Sequence, residues 1–335
     1  MTKRHRLLAA LAASLALALA GLTGASALAQ RSSPPAPAHA ANTYLTGIGD
    51  EQVNMFGNPL WQQLHTKIAR YIAPYDAALH KDSLAYAKAW IEAAEAQHVQ
   101  ILLSFYHSQH TPTKLPSVGG YEQAIAKFIK LFPNIRQYQS WDEANRGNVP
   151  HLFTSPSARA AALYYRALRR VCTGCTTIGL DVLDAQNISP TLRYIASFRH
   201  EIARLHVPSP TIWGLHNYSD VNRKESWRTR QLSRAFGGGQ VWLTETGGVV
   251  QFGGAFPNHH GSGLTRAVAA LKYMFAVAGS QSQLKRLYIY NWTGGNSSTR
   301  FDAGLTDARN QPRPGYVVVC RKLHGEDCSV KISRR

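Results

Sequence analysis

Eight short apolar stretches, most of them followed by a segment with helical spacing, run the length of this chain, and that alternation restricts its fold more than any other feature. The strand-like stretches are TYLTGIG (43–49), IARYIAPYD (68–76), VQILLSFYH (99–107), IRQYQSWDE (135–143), TTIGLDVL (176–183), TIWGLHNY (211–218), QVWLTET (240–246) and RLYIYNW (286–292). Helices are expected over 83–97, over 120–131, where Tyr121, Ile125 and Phe128 share a face, and over 155–171, with Ser155 as cap and Pro156 at the first helical position. Ser189 and Pro190 repeat that start signal ahead of Leu192, Ile195, Phe198 and Ile202, and further helices are expected over 225–236, 264–278 and 316–323. No clear helical pattern follows the first strand, and the VVV run of the last helix has β character. Strands alternating with helices in one domain call for a parallel sheet, and a count of eight favours a closed (β/α)8 TIM barrel. An open doubly wound sheet would announce a nucleotide site by a glycine-rich turn after its first strand, and TGIGDEQ is too weak for that.

The ends of the chain have a different character. Residues 1–29 combine a basic start, an apolar run from Leu7 to about Leu22 and small residues at 27–29, the pattern of a secretory signal peptide. Residues 30–42, rich in Pro and Ser, read as a disordered linker, 43–325 as the barrel domain and 326–335 as a basic tail. Of 335 residues, 37 are Lys or Arg and 19 are Asp or Glu; loss of the signal removes Lys3, Arg4 and Arg6 and leaves 34 against 19, a net +15. Such a charge draws a protein to anionic polymers at low salt. With no zinc finger, RNP-type motif or dense basic helix, nucleic acid is not the expected partner, and an acidic glycan or anionic envelope suits an exported, monomeric protein better. Simple solubility explains the charge equally well. Cys172 with Cys175, and Cys320 with Cys328, are close in an exported chain and are expected to form local disulfides; the alternative of a redox CTGC is disfavoured because that pair lies between a helix and the next strand, at the barrel end remote from catalysis.

In a barrel of this kind, function collects at the carboxyl ends of the strands. There the chain places Arg70, His107, Asp142, Glu143, Asn145, Asp181, Asp184, His216, Tyr218, Glu245 and Trp292. Glu143 and Glu245 occupy matching positions, each ending a strand that contains Trp and preceding a glycine-containing loop. Two facing carboxyls suit glycoside hydrolysis, in which one protonates the leaving oxygen and the other attacks, or activates water, across the sugar.

The sequence here resembles the clan A glycoside hydrolases, the 4/7 superfamily of retaining (β/α)8 enzymes. WDEAN on the fourth strand is similar to their acid/base motif and WLTETGG on the seventh to their nucleophile strand, and the likeness spans most of residues 43–323. The resemblance implies Glu143 as acid/base and Glu245 as nucleophile, with carboxyl groups roughly 5 to 5.5 Å apart. Burial and the charge of Glu245 are expected to raise the pKa of Glu143, while Arg70 and Tyr218 keep Glu245 ionised. His107, Asn145 and His216 are candidate sugar contacts. Trp292 is either a sugar platform or barrel packing, and the resemblance also suggests a cis bond at Trp292-Thr293. The chain departs from the clan where Asp142 replaces Asn before the acid/base and Ala144 replaces the following Pro. An ionised Asp only accepts hydrogen bonds, so Asp142 points to an altered 2-position group, such as a free amine on the sugar. No cofactor is expected, and His259-His260 has no nearby ligand set. The competing readings are a catalytically silent carbohydrate-binding barrel and an envelope-binding protein acting through its charge.

Overall fold

The computed structural model describes residues 42–296, 299–328 and 330; the expected signal segment and almost all of the linker lie outside the described residues. The strands, in chain order, are Leu45–Gly49, Ile68–Pro74, Gln100–Tyr106, Gln137–Gln139, a divided fifth strand (Thr176–Ile178 and Asp181–Leu183), Ile212–His216, Gln240–Thr246 and Leu284–Tyr290. All pair in parallel. The two halves of the fifth strand are the two ends of the sheet order: the first half pairs with the fourth strand and the second with the sixth. One continuous stretch of chain therefore closes the sheet into an eight-stranded barrel. A helix follows every strand, the first being the six-residue Pro59–Leu64, capped by Asn58. Among the described residues no helix is long and apolar enough to cross a membrane.

Alternation along the strands divides the core in two. Ala69, Tyr71, Leu103, Phe105, Leu243 and Leu287 face outward and pack under the helices, against Trp90, Ile125, Phe128, Tyr165 and their neighbours. Ile68, Leu102, Ile178, Trp242 and Tyr288 face inward and plug the lower barrel. On the first strand the inward positions are glycines. A Cβ on Gly47 would lie 2.5 Å from the Ile68 carbonyl oxygen and 3.0 Å from the Tyr288 ring, so TGIG is a close-approach strand that makes room for its neighbours.

Several helix starts differ from expectation. The fourth-strand helix is Ala158–Val171 and its cap is Ser157, whose Oγ accepts from the Ala160 amide at 3.2 Å; Ser155 is instead bonded to Gly147 and Asn148. Ser189 is the first residue of its helix, not the cap, and Asn187 Oδ1 accepts its amide hydrogen at 3.0 Å. The VVV run is helical, within Pro314–His324, because Val319 faces the core beside Tyr316 and Cys320. Cys172 is bonded to Cys175 and Cys320 to Cys328.

Gly47→Ala is expected to cost about 1–3 kcal/mol by overpacking against Ile68 and Tyr288. Gly279→Ala, in helix Ser262–Ser280 with nothing within 4 Å of the added carbon, should stabilise by about 0.4–1 kcal/mol. Urea unfolding of both variants checks the pair of signs.

Candidate active site

The site is built outward from a buried arginine. Arg70 faces into the barrel from the second strand with no exposed surface; Nη1 donates to Glu245 Oε1 at 2.7 Å and Nη2 is in close contact with Asp142 Oδ1. Burial works against its charge, but the carboxylates of Asp142, Glu245 and Asp181 outweigh that and hold it protonated. Glu245 takes a second hydrogen bond, from Tyr218 Oη at 3.2 Å. Asp142 also accepts from Ser104 Oγ at 3.4 Å and Gln139 Nε2 at 3.3 Å, and burial pushes its pKa up to about 7 in spite of Arg70. The aspartate that departs from the clan pattern thus has its Oδ1 turned to an internal cation.

His216, on the sixth strand, is fully buried among four carboxylates. Nδ1 lies 3.0 Å from Glu143 Oε1 and 3.4 Å from Glu245 Oε2; Nε2 lies 2.9 Å from Asp181 Oδ2 and 3.9 Å from Asp142 Oδ1. Burial disfavours the imidazolium, yet Asp181 and Glu245 raise its pKa well above the ordinary histidine value. His216 therefore sits beneath the cleft as a charged strut and not on its wall as a sugar contact. Asp181 reaches it because Gly214 has no side chain: a Cβ there would lie 2.0 Å from Asp181 Oδ1. The triples Asp142–Asp181–His216 and Glu143–His216–Glu245 bring ligand-type atoms within 4.8 Å of one another. Arg70 and the protonated His216 already pair with these carboxylates, and an imidazolium has no lone pair for a metal.

Glu143 adopts a left-handed backbone conformation (φ 41°), which costs a non-glycine residue about 1 kcal/mol or more. The fifth strand pins it there. The Glu143 amide donates to Asp181 Oδ2 at 3.1 Å and the Ala144 amide to the Asp181 carbonyl at 3.0 Å, a bond the clan's proline could not make. Asn145 completes the clamp: Nδ2 donates to the Leu183 carbonyl and to Thr191 Oγ1, both at 2.9 Å, and Oδ1 accepts from the Leu183 amide at 2.8 Å. With its amide fully engaged, Asn145 is a fastening and not a sugar contact. The expected rise in the pKa of Glu143 is also reversed. Burial pushes it up, but His216 and, from the other side, Arg146, with Nη1 3.1 Å from Oε2, hold it below the ordinary glutamate value.

Above this network lies a cleft of about 790 Å³ into which Asp142, Glu143, Tyr218 and Glu245 face, with His107 on its wall beside Tyr106. An oxygen of Glu143 and one of Glu245 lie within 4.8 Å of each other. Trp292 does not face the cleft. It is fully buried and packs edge-on against Trp61 and Tyr316, because the eighth strand ends at Tyr290 and the inward alternation of Tyr288 and Tyr290 stops there. The cis peptide bond joins Tyr290 to Asn291, not Trp292 to Thr293. Asp184 caps the helix Tyr218–Arg223, accepting from the amides of Ser219 and Asp220 at 2.8 and 2.9 Å.

Sequence reasoning missed Glu51, Arg146 and Tyr290, as well as the aromatic wall formed by Phe252, Phe256 and Phe301. The signals for the first two were present, in the DE pair that ends the first strand and three residues beyond Glu143. The wall depends on a two-stranded ribbon pairing Gln251–Phe252 with Phe301–Asp302, a long-range contact between the last two strand-end loops.

No family model and no curated protein matches the chain. Solved structures do. Xylanase 10B from Thermotoga maritima is 14% identical with a TM-score of 0.58, over 84% of this chain and 95% of that one. A psychrophilic glycoside hydrolase family 10 endo-β-1,4-xylanase is 11% identical with a TM-score of 0.62, over 83% and 96%. A glucosidase from Croceicoccus marinus is 13% identical with a TM-score of 0.62, over 85% and 67%. At such identities the likeness is one of fold, and the fold is the (β/α)8 barrel.

Charge pairing gives the site a pH signature. The pKa of His216 is raised, so the stability it contributes is complete below its unfolded value of about 6.5 and is lost as pH rises through the folded value. Those of Glu143 and Asp181 are lowered, so their contribution is present above about 4 and is lost as pH falls. Replacing His216 by Gln is expected to cost about 3–5 kcal/mol, most at about pH 5–6, with the gap to wild type narrowing on either side. Urea unfolding between pH 4 and 9 reads this; a gap independent of pH would mean a neutral histidine.

Proposed function

We propose that the protein is an exported, retaining glycoside hydrolase of the clan A type that acts on an oligo- or polysaccharide. The observation that carries this reading is the approach of Glu143 and Glu245, within 4.8 Å across a cleft, from the ends of the fourth and seventh strands. Such a close approach of two carboxyl oxygens is compatible with the roughly 5 to 5.5 Å spacing of a retaining pair and suits direct attack on the anomeric carbon. The sequence likeness of WDEAN and WLTETGG, and the fold shared with xylanases and a glucosidase, support the same conclusion. Export rests on the signal-like first 29 residues alone.

In this reading Glu245, oriented by Arg70 and Tyr218, attacks the anomeric carbon as the glycosidic C–O bond breaks, and Glu143 gives its proton to the departing oxygen. Water then attacks the glycosyl–Glu245 ester while Glu143 takes up the water's proton, and Glu245 leaves as carboxylate. The proton needed in the first step has a source beside it. In the free protein Glu143 is held low and His216 is protonated, with Nδ1 3.0 Å from Oε1. Substrate that displaces Arg146 from Oε2 removes one of the charges holding Glu143 ionised, and the His216 proton is then the nearest one able to move onto it.

The same low pKa of Glu143 is what a silent carbohydrate-binding barrel would also have, since binding needs no acid. Kinetics on a panel of aryl glycosides and polysaccharides separates the two. Glu143→Ala is expected to lower kcat about 10²–10⁴-fold on substrates with poor leaving groups, and far less on dinitrophenyl glycosides, which need little acid assistance. Glu245→Ala should abolish turnover of both. NMR of the first-formed sugar should show the anomeric configuration of the substrate. Equal rates for wild type and both variants would reject the enzyme.

A further inference from the structure

Every carboxylate at the floor of the cleft has a partner that answers its charge, except one. Glu245 and Asp142 share Arg70, Glu143 lies between His216 and Arg146, and Asp184 caps a helix. Glu51, at the end of the first strand, has none. Its Oε2 accepts from Tyr290 Oη at 2.9 Å, while its Oε1 is shielded from solvent and accepts no hydrogen bond. Among the described residues no cationic side chain forms an ion pair with it. Its neighbour Asp50 does not help, being stitched to the Gln52 and Thr293 amides, both at 2.7 Å.

The position of Glu51 gives it a side of the cleft. Glu51 follows the first strand, which is two places from the seventh strand of Glu245 and three from the fourth strand that leads to Glu143, and Tyr290, which bonds Glu51, stands on the eighth strand between the first and the seventh. Glu51 thus lies on the Glu245 side of the cleft. If Glu143 protonates the leaving group, as the proposed function requires, Glu51 lies by the sugar that keeps its anomeric carbon on Glu245.

We propose that Glu51 is a specificity residue for a cationic nitrogen on that sugar, so that an amino sugar with an unsubstituted amine is the unit the cleft selects. A buried carboxyl with one unpaired oxygen is costly to ionise alone, and burial together with Asp50 pushes its pKa up to about 8. An ammonium group brought by the ligand supplies the missing donor and the missing charge at once, whereas a hydroxyl supplies only the donor. This moves the expectation of an amine-bearing substrate from Asp142, which Arg70 occupies, to Glu51. General electrostatics cannot mimic the effect, because a chain with a formal net charge of +18 repels polyamines.

The test is calorimetric binding of glucosamine and galactosamine oligosaccharides, each beside its N-acetylated counterpart, with a cello-oligosaccharide as neutral control. Wild type is expected to bind one of the amino oligosaccharides at least tenfold more tightly than its acetylated partner at pH 6.5. Glu51→Gln should erase that preference and leave the affinity for the neutral control unchanged; Glu51→Asp, which keeps a carboxyl that an ammonium can ionise, should retain part of it and guards against a folding defect in the first variant. Equal binding of amine and amide forms by wild type, or a preference that survives Glu51→Gln, overturns the proposal. Binding preference without hydrolysis of any substrate would reject the hydrolase and leave this site standing, whereas hydrolysis of neutral glycans without the preference would do the reverse.

Discussion

The guanidinium of Arg70 holds the upper barrel together. It is a full charge in a site closed to water, stable only because Asp142 and Glu245 are brought to it from the fourth and seventh strands. Removing either partner would leave a buried charge unanswered, so the geometry of the two strand ends is fixed by electrostatics as much as by backbone pairing. The first strand contributes by absence: Gly49 stands where a Cβ would come within 3.7 Å of the Arg70 side chain and 3.3 Å of Tyr290.

A second cation completes the arrangement. His216 links Glu143, Asp181 and Glu245, so both of these glutamates are tied to a positive charge below them. The consequences reach the backbone. Asp181, released by Gly214 to approach His216, also receives the amide of Glu143 and fixes its left-handed turn. Backbone strain, a divided fifth strand and an Asp in place of Asn are parts of a single solution, in which two glutamates stand close together in different surroundings. One is bound to an arginine and a tyrosine; the other is bound to a histidine able to lend a proton.

The barrel was legible in the sequence because apolar strand-like runs alternate with helically spaced segments along the chain. The fourth strand was overestimated, since no Gly or Pro separates Ser140 to Glu143 from it, although the chain there leaves the sheet for the turn that presents Glu143. Glu143, Glu245, Arg70 and Tyr218 could be located because each ends or lies on a strand-like stretch of the sequence. For Trp292 the choice between platform and packing stayed open because nothing local marks where the eighth strand ends, and Asn145 was misjudged because its partners Leu183 and Thr191 are 38 and 46 residues away. The lowered pKa of Glu143 was not readable at all: it is set by His216, 73 residues distant, and by the turn that swings Arg146 back over the carboxylate.

Covalent trapping examines the central claim most directly, namely that the Arg70-bound glutamate attacks while the His216-bound one transfers protons. Wild-type protein would be incubated with a panel of dinitrophenyl 2-deoxy-2-fluoroglycosides, whose fluorine slows both steps while the leaving group speeds the first, and then digested for peptide mass spectrometry. The account predicts a single added fluoroglycosyl group on Glu245, formed also, though more slowly, in Glu143→Ala. Attachment to Glu143, or to any residue other than Glu245, would contradict it.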